Sequence, residues 1–259
     1  MFQNITPVVR NLLIINVTLL LIQQFLQIDF ISLGGLRYIH AETFNPIQFF
    51  TYMFIHASFW HLFGNMLALF IFGPWLERVW GSRRFLAFYL ITGVGAGVIW
   101  FGINFWETRA IEKDTMAYFR NPNPELFNRY IVKHYHLTDH LDEFINEFAD
   151  NPNSESHKEE SVGFVREFWY KVSNTPMVGA SGAVFGILMA FGMLFPNAVL
   201  MLLIPPIPMK AKYFVLLYGL YELYAIIQQS PGDNVAHFAH LGGMFFAFIL
   251  VKRWANLGF

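Results

Sequence analysis

The chain has 259 residues, of which 55% are hydrophobic and 14% are charged. Because an average soluble domain has about 25% charged residues, this composition excludes an ordinary soluble protein and indicates a membrane protein. The formal net charge of −1 gives no reason to expect nucleic acid or a strongly acidic ligand as a partner. The absence of cysteine excludes disulfides, a catalytic thiolate and thiolate metal sites.

Apolar windows of about the 20 residues needed to cross a bilayer recur along the chain. They cover residues 8–28, 56–76, 85–105, 176–195, 211–229 and 235–252. We therefore predict an all-α polytopic membrane protein with a six-helix transmembrane bundle. No small-residue cleavage site follows the first window, which is interpreted as a retained span and not as a signal peptide.

The spans divide the chain into three parts. Residues 1–105 hold the first three spans and a first loop, 29–46, that is too apolar to be fully solvated. Residues 106–172 carry 13 of the 18 acidic and 8 of the 17 basic residues, which predicts a water-facing insertion. Residues 173–259 hold the last three spans.

Shorter patterns give finer predictions. Apolar residues at helical spacing in the insertion predict one or two amphipathic helices, followed by a solvated linker at 153–160. The segment 198–204 is too short to cross the bilayer and runs into prolines, so we predict a buried connector on the cytoplasmic side. Outside the insertion, the basic residues cluster at both termini and in the even-numbered loops, which predicts cytoplasmic termini.

Ser181 lies between small residues at the start of the fourth window. Gly182, Gly186 and Ala190 follow it at every fourth position, so one stripe of this helix lets another backbone approach closely. The expected partner is the last window, which begins near His240. A serine and a histidine could then meet across two helices.

Several motifs together resemble one family. The chain has Gly-Ala-Ser-Gly at 179–182, Ala-His-Leu-Gly-Gly at 239–243 and His-Leu-Phe-Gly-Asn at 61–65. This combination resembles the rhomboid family of intramembrane serine proteases, over about residues 45–105 and 174–252. The resemblance implies cleavage of peptide bonds in or near transmembrane helices of other membrane proteins, in a lipid bilayer and without a cofactor or metal.

The resemblance also implies roles for individual residues. Ser181 is the expected nucleophile and His240 the expected base, while His61 and Asn65 are the expected oxyanion donors. His61 and Asn65 are four residues apart and so share one helix face. His56 matches a family position that braces the first loop.

Two further residues, His237 and Phe185, concern the assignment and packing of the expected base, His240. His237 lies three residues before His240 on the same helix face, and is either a neighbouring hydrogen-bonding group or the base itself. Phe185 stands where many bacterial relatives have a tyrosine that stacks on the catalytic histidine. Its ring can still pack on an imidazole but has no hydroxyl. The family works with a serine–histidine dyad, so no acidic partner is required.

Other functions stay open at this point. The chief alternative is a catalytically silent rhomboid-like protein that binds membrane clients. A small-molecule transporter would use Glu222 inside the fifth span, although a bond from Glu222 to a neighbouring helix is the simpler interpretation. His134, His136 and His140 have a spacing that fits a metal site, but a solvated helix face is favoured. A multi-pass protein of the bacterial plasma membrane is expected, and the sequence does not specify its oligomeric state.

Overall fold

The computed structural model describes residues 5–135, 141–201, 206–228 and 236–255 and is mostly helical. The helices are α1 (Pro7–Leu26), α2 (Phe30–Gly34), α3 (Gln48–Thr51) with a following 3₁₀ turn (Tyr52–Phe54), α4 (Phe59–Arg120), α5 (Pro124–His134), α6 (Asp142–Asp150), α7 (Glu155–Asn174), α8 (Ser181–Leu194), α9 (Ala211–Gln228) and α10 (His237–Ala255). Two short strands, β1 (Val199–Met201) and β2 (Pro208–Lys210), pair antiparallel.

The chain forms two compact units. The first comprises Met1–Leu36, Thr43–Gly102 and Pro176–Phe259, and the second comprises Arg37–Glu42 and Ile103–Thr175. All the candidate site residues belong to the first unit. The second unit combines the polar insertion with six residues of the first loop.

α4 is two helices joined at a glycine. The backbone leaves helical geometry at Gly81, which has φ 74° and ψ 160°. A Cβ added to Gly73 would lie 3.4 Å from Phe85 Cζ, although twelve residues of straight helix span about 18 Å. The chain therefore folds back at Gly81. This reversal separates the second and third predicted windows.

The N-terminus of α1 is capped by a residue from α4. Thr6 makes no side-chain cap, and Glu77 instead accepts hydrogen bonds from the amides of Val8 and Val9 at 3.0 Å each. Ser82 donates a third bond, at 2.6 Å. The Glu77 side chain is thus satisfied although the residue is 2% exposed.

Each of the six predicted windows contains helix. Among the described residues, α1 and α4 have both the length and the hydropathy of a membrane span, and α8 is an apolar helix of 14 residues. α8 begins at Ser181, five residues later than the predicted window. The helix does not begin earlier, because Met177 pairs with Leu36 in an antiparallel bridge and Gly179 takes a positive φ of 121°.

The second unit has a core of its own. Its buried residues include Tyr118, Phe127, Ile131, Phe148 and Val165. The predicted amphipathic pattern is confirmed for the described residues, and it packs within this unit. There are more helices than expected, since α4 continues to residue 120 and α5, α6 and α7 follow.

The predicted linker at 153–160 is wrong. Ser154 caps α7 by accepting from the His157 amide, and α7 runs unbroken from Glu155 to Asn174. Lys158 pairs with Glu155 one turn earlier at 2.9 Å. The charged residues therefore form the solvated first turns of a helix that buries Val165 on its other side.

The prediction of a buried connector at 198–204 is also wrong for its described part, residues 198–201. Residues 202–204 lie outside the described residues, and Val199–Met201 form β1, which pairs with β2 and in which Val199 is 65% exposed and Met201 is 61% exposed. The prolines stop a helix as expected, but strand pairing satisfies the backbone groups without burial.

Candidate active site

Ser181 is the first residue of α8, as predicted. The amide of such a residue has no acceptor within its own helix. Just before it, Gly179 has φ 121°, and its amide donates to Tyr52 O at 2.9 Å. The glycine therefore allows the sharp change of direction that brings Ser181 to a partly buried helix start.

The backbones of α8 and α10 touch. A Cβ added to Gly243 would overlap the carbonyl oxygen of Gly182, and one added to Gly182 would lie 3.6 Å from Ala239 O. The small-residue stripes thus bring these two helices together, which confirms the expected partner of α8. A residue with a Cβ does not fit at Gly243 unless the two backbones move apart.

His240 of α10 packs against the face of α8 that carries Ser181. Its ring is stacked on Phe185, with centroids 4.1 Å apart and an interplanar angle of 7°. Phe185 is four residues after Ser181 and so occupies the same face one turn on. The Ser181 hydroxyl makes no hydrogen bond to any residue that the structure describes. The structure therefore brings the two side chains to facing helices without a bond between them.

Two imidazoles border the approach to Ser181. A Cβ on Gly179 would lie 2.6 Å from the His61 ring, so that ring covers the glycine. His56 is 1% exposed, accepts from the Ala180 amide through Nε2 at 3.4 Å, and packs edge-on against His61. His56 thus contacts the segment before Ser181, and its expected role in bracing the first loop stays a prediction.

Asn65 lies one turn after His61 on α4. It is 6% exposed, and its amide nitrogen donates to the His61 carbonyl at 3.0 Å. An asparagine amide has two N–H donors. One is used within the helix here, which leaves the second N–H for another acceptor.

A buried carboxylate joins the site, which the sequence did not predict. Glu222 on α9 is 3% exposed, and its Oε2 lies 2.6 Å from His237 Nδ1 and 2.9 Å from His240 Nδ1. The simpler interpretation of Glu222, a bond to a neighbouring helix, is confirmed. The available signal was physical: an ionisable group inside an apolar helix needs a partner, and two histidines three residues apart share a face.

The same three side chains are the one group among the described residues that could hold a metal ion. Their ligand atoms all lie within 4.8 Å of one another. In the insertion, His134 is paired with Asp114 at 2.7 Å, while His136 and His140 lie outside the described residues. That pairing gives His134 a carboxylate partner, but its side chain is only 7% exposed, so the predicted solvated face is wrong at His134.

A family model described as the Rhomboid domain matches residues 43–107 and 161–254. The chain belongs to the Rhomboid family. The match covers α4 as far as residue 107, with His61 and Asn65, and includes Ser181 of α8 and His240 of α10. It leaves out residues 108–160, which lie within the polar insertion.

Similar proteins carry the same family name. The chain is 26% identical over 239 residues to RHOMBOID-like protein 12, mitochondrial, of Arabidopsis thaliana, covering 91% of this chain and 52% of that protein. It is 44% identical over 46 residues to Rhomboid protease AarA of Providencia stuartii, covering 18% of this chain and 16% of that protein. It is 25% identical over 157 residues to Rhomboid protein 1, mitochondrial, of Saccharomyces cerevisiae, covering 60% of this chain and 27% of that protein.

The chain thus spans about half the length of the first of these relatives and less of the others. Rhomboid family proteins are integral membrane proteins and include serine proteases of the bilayer. Membership therefore agrees with the apolar composition of this chain.

Proposed function

We propose that this protein is an intramembrane serine endopeptidase that cleaves peptide bonds in or near the transmembrane helices of other membrane proteins. The observation that supports it best is the stack of His240 on Phe185, one helical turn from Ser181. It holds an imidazole over the serine-bearing face of α8. The proposal also rests on family membership, since one relative is named a protease.

The chemistry needs only the two side chains. The Ser181 oxygen bonds to the substrate carbonyl carbon while its proton passes to His240 Nε2. Collapse of the tetrahedral intermediate breaks the carbon–nitrogen bond, and His240 returns the proton to the leaving amine. Water then repeats the sequence on the acyl-serine ester and releases the acid. No cofactor takes part in this scheme.

Three donors are proposed to bind the oxyanion: the Ser181 amide, the free N–H of Asn65 and His61. The amide is unpaired because it heads α8, and the other two stand one turn apart on α4. Fixed donors of this kind stabilise the charge that develops in the transition state.

We propose a membrane arrangement to match. The six apolar helical segments span the bilayer of a bacterial plasma membrane, with both termini in the cytoplasm and the site opening to the outer face. Substrates then enter from the lipid or from that face. The support is the apolar windows and the distribution of basic residues.

The first test uses purified protein, a transmembrane substrate and a fluorophosphonate probe, with Ser181→Ala and His240→Ala. We expect the probe to label wild-type protein at Ser181, and either substitution to abolish cleavage. Losses in the double variant should not add, because the two groups act as a unit. Thermal unfolding in detergent checks that each variant is folded.

The outcomes separate the candidate functions. Cleavage that persists in folded Ser181→Ala contradicts the assignment of the nucleophile. A wild-type protein that binds transmembrane clients but is neither labelled nor active is the catalytically silent alternative. If His237→Ala is more damaging than His240→Ala, His237 is the base.

A further inference from the structure

Glu222 forms a hydrogen bond with His240, although a serine–histidine dyad requires no carboxylate. Its carboxylate is buried on α9, and one oxygen contacts the Nδ1 atoms of both His237 and His240 on α10. We propose that Glu222 positions His240 for proton transfer, so that this chain works with a serine–histidine–glutamate triad in place of a dyad. This inference rests on the proposed protease function.

The bond to Glu222 fixes which ring nitrogen carries the proton. An ionised carboxylate can only accept hydrogen bonds, so Nδ1 of His240 is the donor. In a neutral imidazole the other nitrogen, Nε2, is then the unprotonated one. That nitrogen is the one needed to take the proton from Ser181.

The ring is also fixed in orientation. The Phe185 face restrains the plane of the imidazole, and the 2.9 Å bond to Glu222 restrains rotation within that plane. When Nε2 takes the serine proton, His240 becomes a cation beside the Glu222 carboxylate. The carboxylate stabilises this cation and does not itself take the proton. His240 later passes the proton from Nε2 to the leaving amine.

His237 completes the arrangement around the carboxylate. It is 8% exposed and donates at 2.6 Å to the oxygen that His240 also contacts. A buried carboxylate is costly unless its charge is met by donors. The pair of imidazoles supplies them, which explains why two histidines stand three residues apart on α10.

A resident metal is the competing use of these groups. Around a tetrahedral zinc with bonds of about 2.0–2.1 Å, neighbouring ligand atoms are roughly 3.3 Å apart. The carboxylate oxygen here lies within direct hydrogen-bond distance of both nitrogens, at 2.6 and 2.9 Å. The geometry therefore favours proton sharing.

Other titratable groups face the cluster. They are Tyr218, whose ring packs on Phe185, Tyr221, whose ring packs edge-on against His237, and His61 of α4, whose ring covers Gly179. None of them is within hydrogen-bonding contact of Glu222 in the described residues. Glu222 is therefore the group whose charge should most affect His240.

The test compares Glu222→Gln with wild type on one transmembrane substrate, over a range of pH. The amide keeps the shape, loses the charge and can donate to Nδ1, which favours the wrong tautomer of His240. We expect kcat to fall about a hundred- to ten-thousandfold, with KM little changed. The acid limb of the pH profile should move to lower pH, because the imidazolium loses its carboxylate.

Matched variants narrow the interpretation. Glu222→Asp keeps the charge and should restore part of kcat and the wild-type pH profile. Tyr221→Phe, on the same helix, should leave both unchanged. If Glu222 had a purely structural role, Glu222→Gln and Glu222→Asp would both lower the stability of the protein, and neither would move the pH profile of kcat.

A measurement on wild-type protein covers the case in which Glu222→Gln does not fold. Nitrogen-15 NMR of labelled imidazoles should show the proton of His240 on Nδ1, and the opposite tautomer would overturn the inference. Loss of activity on chelation, restored by zinc, would make the cluster a metal site and also overturn it. If folded Glu222→Gln keeps wild-type kcat and pH profile while Ser181→Ala is inactive, the triad fails and the protease stands.

Discussion

Gly179 controls the geometry of the residues that precede Ser181. Its φ of 121° is a conformation that residues with a Cβ rarely adopt, and a Cβ there would lie 2.6 Å from the His61 ring. Backbone strain and a steric clash thus act at one position. Both would displace groups that the proposed mechanism places around the oxyanion.

Gly179→Ala should therefore damage both stability and turnover. We expect the free energy of unfolding to fall by about 1–3 kcal/mol, the usual cost of a strained backbone conformation. Turnover should fall at least about tenfold, since each 1.4 kcal/mol lost at the transition state is a factor of ten. Thermal unfolding in detergent and cleavage of a transmembrane substrate measure the two effects.

Gly102→Ala is the matched control. It lies in α4, and a Cβ there meets no atom within 4 Å. Stability and turnover should stay close to wild type. Equal behaviour of the two variants would show that neither strain nor His61 contact matters at Gly179.

At this scale the sequence predicts which residues matter better than how they bond. Ser181 could be placed at a helix start because the small residues around it and the beginning of an apolar window are local signals. The bond from Glu222 to His240 joins residues 18 positions apart on two helices. It depends on the rotation of each helix about its axis, which no local pattern specifies.

At the scale of elements, the crossing of α8 and α10 leaves no space between backbones. A Cβ on Gly243 would overlap the Gly182 carbonyl. The two helices carry the proposed nucleophile and base. The distance between α8 and α10 therefore depends on the absence of a Cβ at Gly243.

Gly243→Ala should force the two helices apart. We expect a loss of about 1–3 kcal/mol in stability, as for other overpacked cores, and a large loss of cleavage. The reason is that His240 moves away from Ser181 with its helix. Fluorophosphonate labelling and thermal unfolding report the two effects separately.

Gly219→Ala on α9 provides the comparison. Its Cβ would meet the end of the Met244 side chain at 3.3 Å, and that flexible chain can move aside. A near wild-type result is expected. If Gly243→Ala is equally harmless, the close approach of α8 and α10 is not needed for activity.

The two wrong element predictions have separate causes. The run 153–160 is charged enough to suggest a linker, yet Ser154 caps a helix whose buried side begins only at Ser161 and Val165. After α8, prolines correctly excluded a helix, but the pairing of Val199 with Lys210 is a contact between two short segments. Pairing of this kind depends on where the second segment lies in the fold, so a local sequence pattern does not predict it.

At the scale of the whole molecule, the insertion is a folded unit and not a long loop. Residues 103–175 join Arg37–Glu42 of the first loop in this unit. Tyr38 is 1% exposed, donates to Glu112 at 2.8 Å and packs against Trp169. Burial, with this hydrogen bond, raises the pKa of Tyr38 above its usual value, so the phenol stays a donor at physiological pH. Glu112 also contacts His40 at 2.8 Å.

Replacing Ile111 to Val165 by a short glycine–serine linker should therefore change how substrates are cleaved. The change removes Glu112, so Tyr38 and His40 lose their partner and the first loop loses its fixed conformation. We expect fluorophosphonate labelling of Ser181 to persist, while rates over a panel of transmembrane substrates change. No group of the proposed dyad lies in the removed segment.

A smaller variant serves as the control for this deletion. Glu112→Gln keeps the insertion and weakens only its contacts with the first loop, so it should reproduce part of the effect. Unchanged rates with the linker would make the insertion irrelevant to substrate choice. Loss of labelling in a folded protein would mean that the insertion supports the site directly.

The cap on α1 has a consequence for biosynthesis. Helix α1 is synthesised before α4, and the acceptor for its Val8 amide is Glu77, 69 residues later in the chain. At ribosomal rates of about 5–20 residues per second, that delay is roughly 3 to 14 seconds. During it, the Val8 and Val9 amides lack the Glu77 acceptor that they have in the folded protein. We therefore expect the N-terminal turn of α1 to reach its final hydrogen bonding only after the Glu77 segment of α4 has been made.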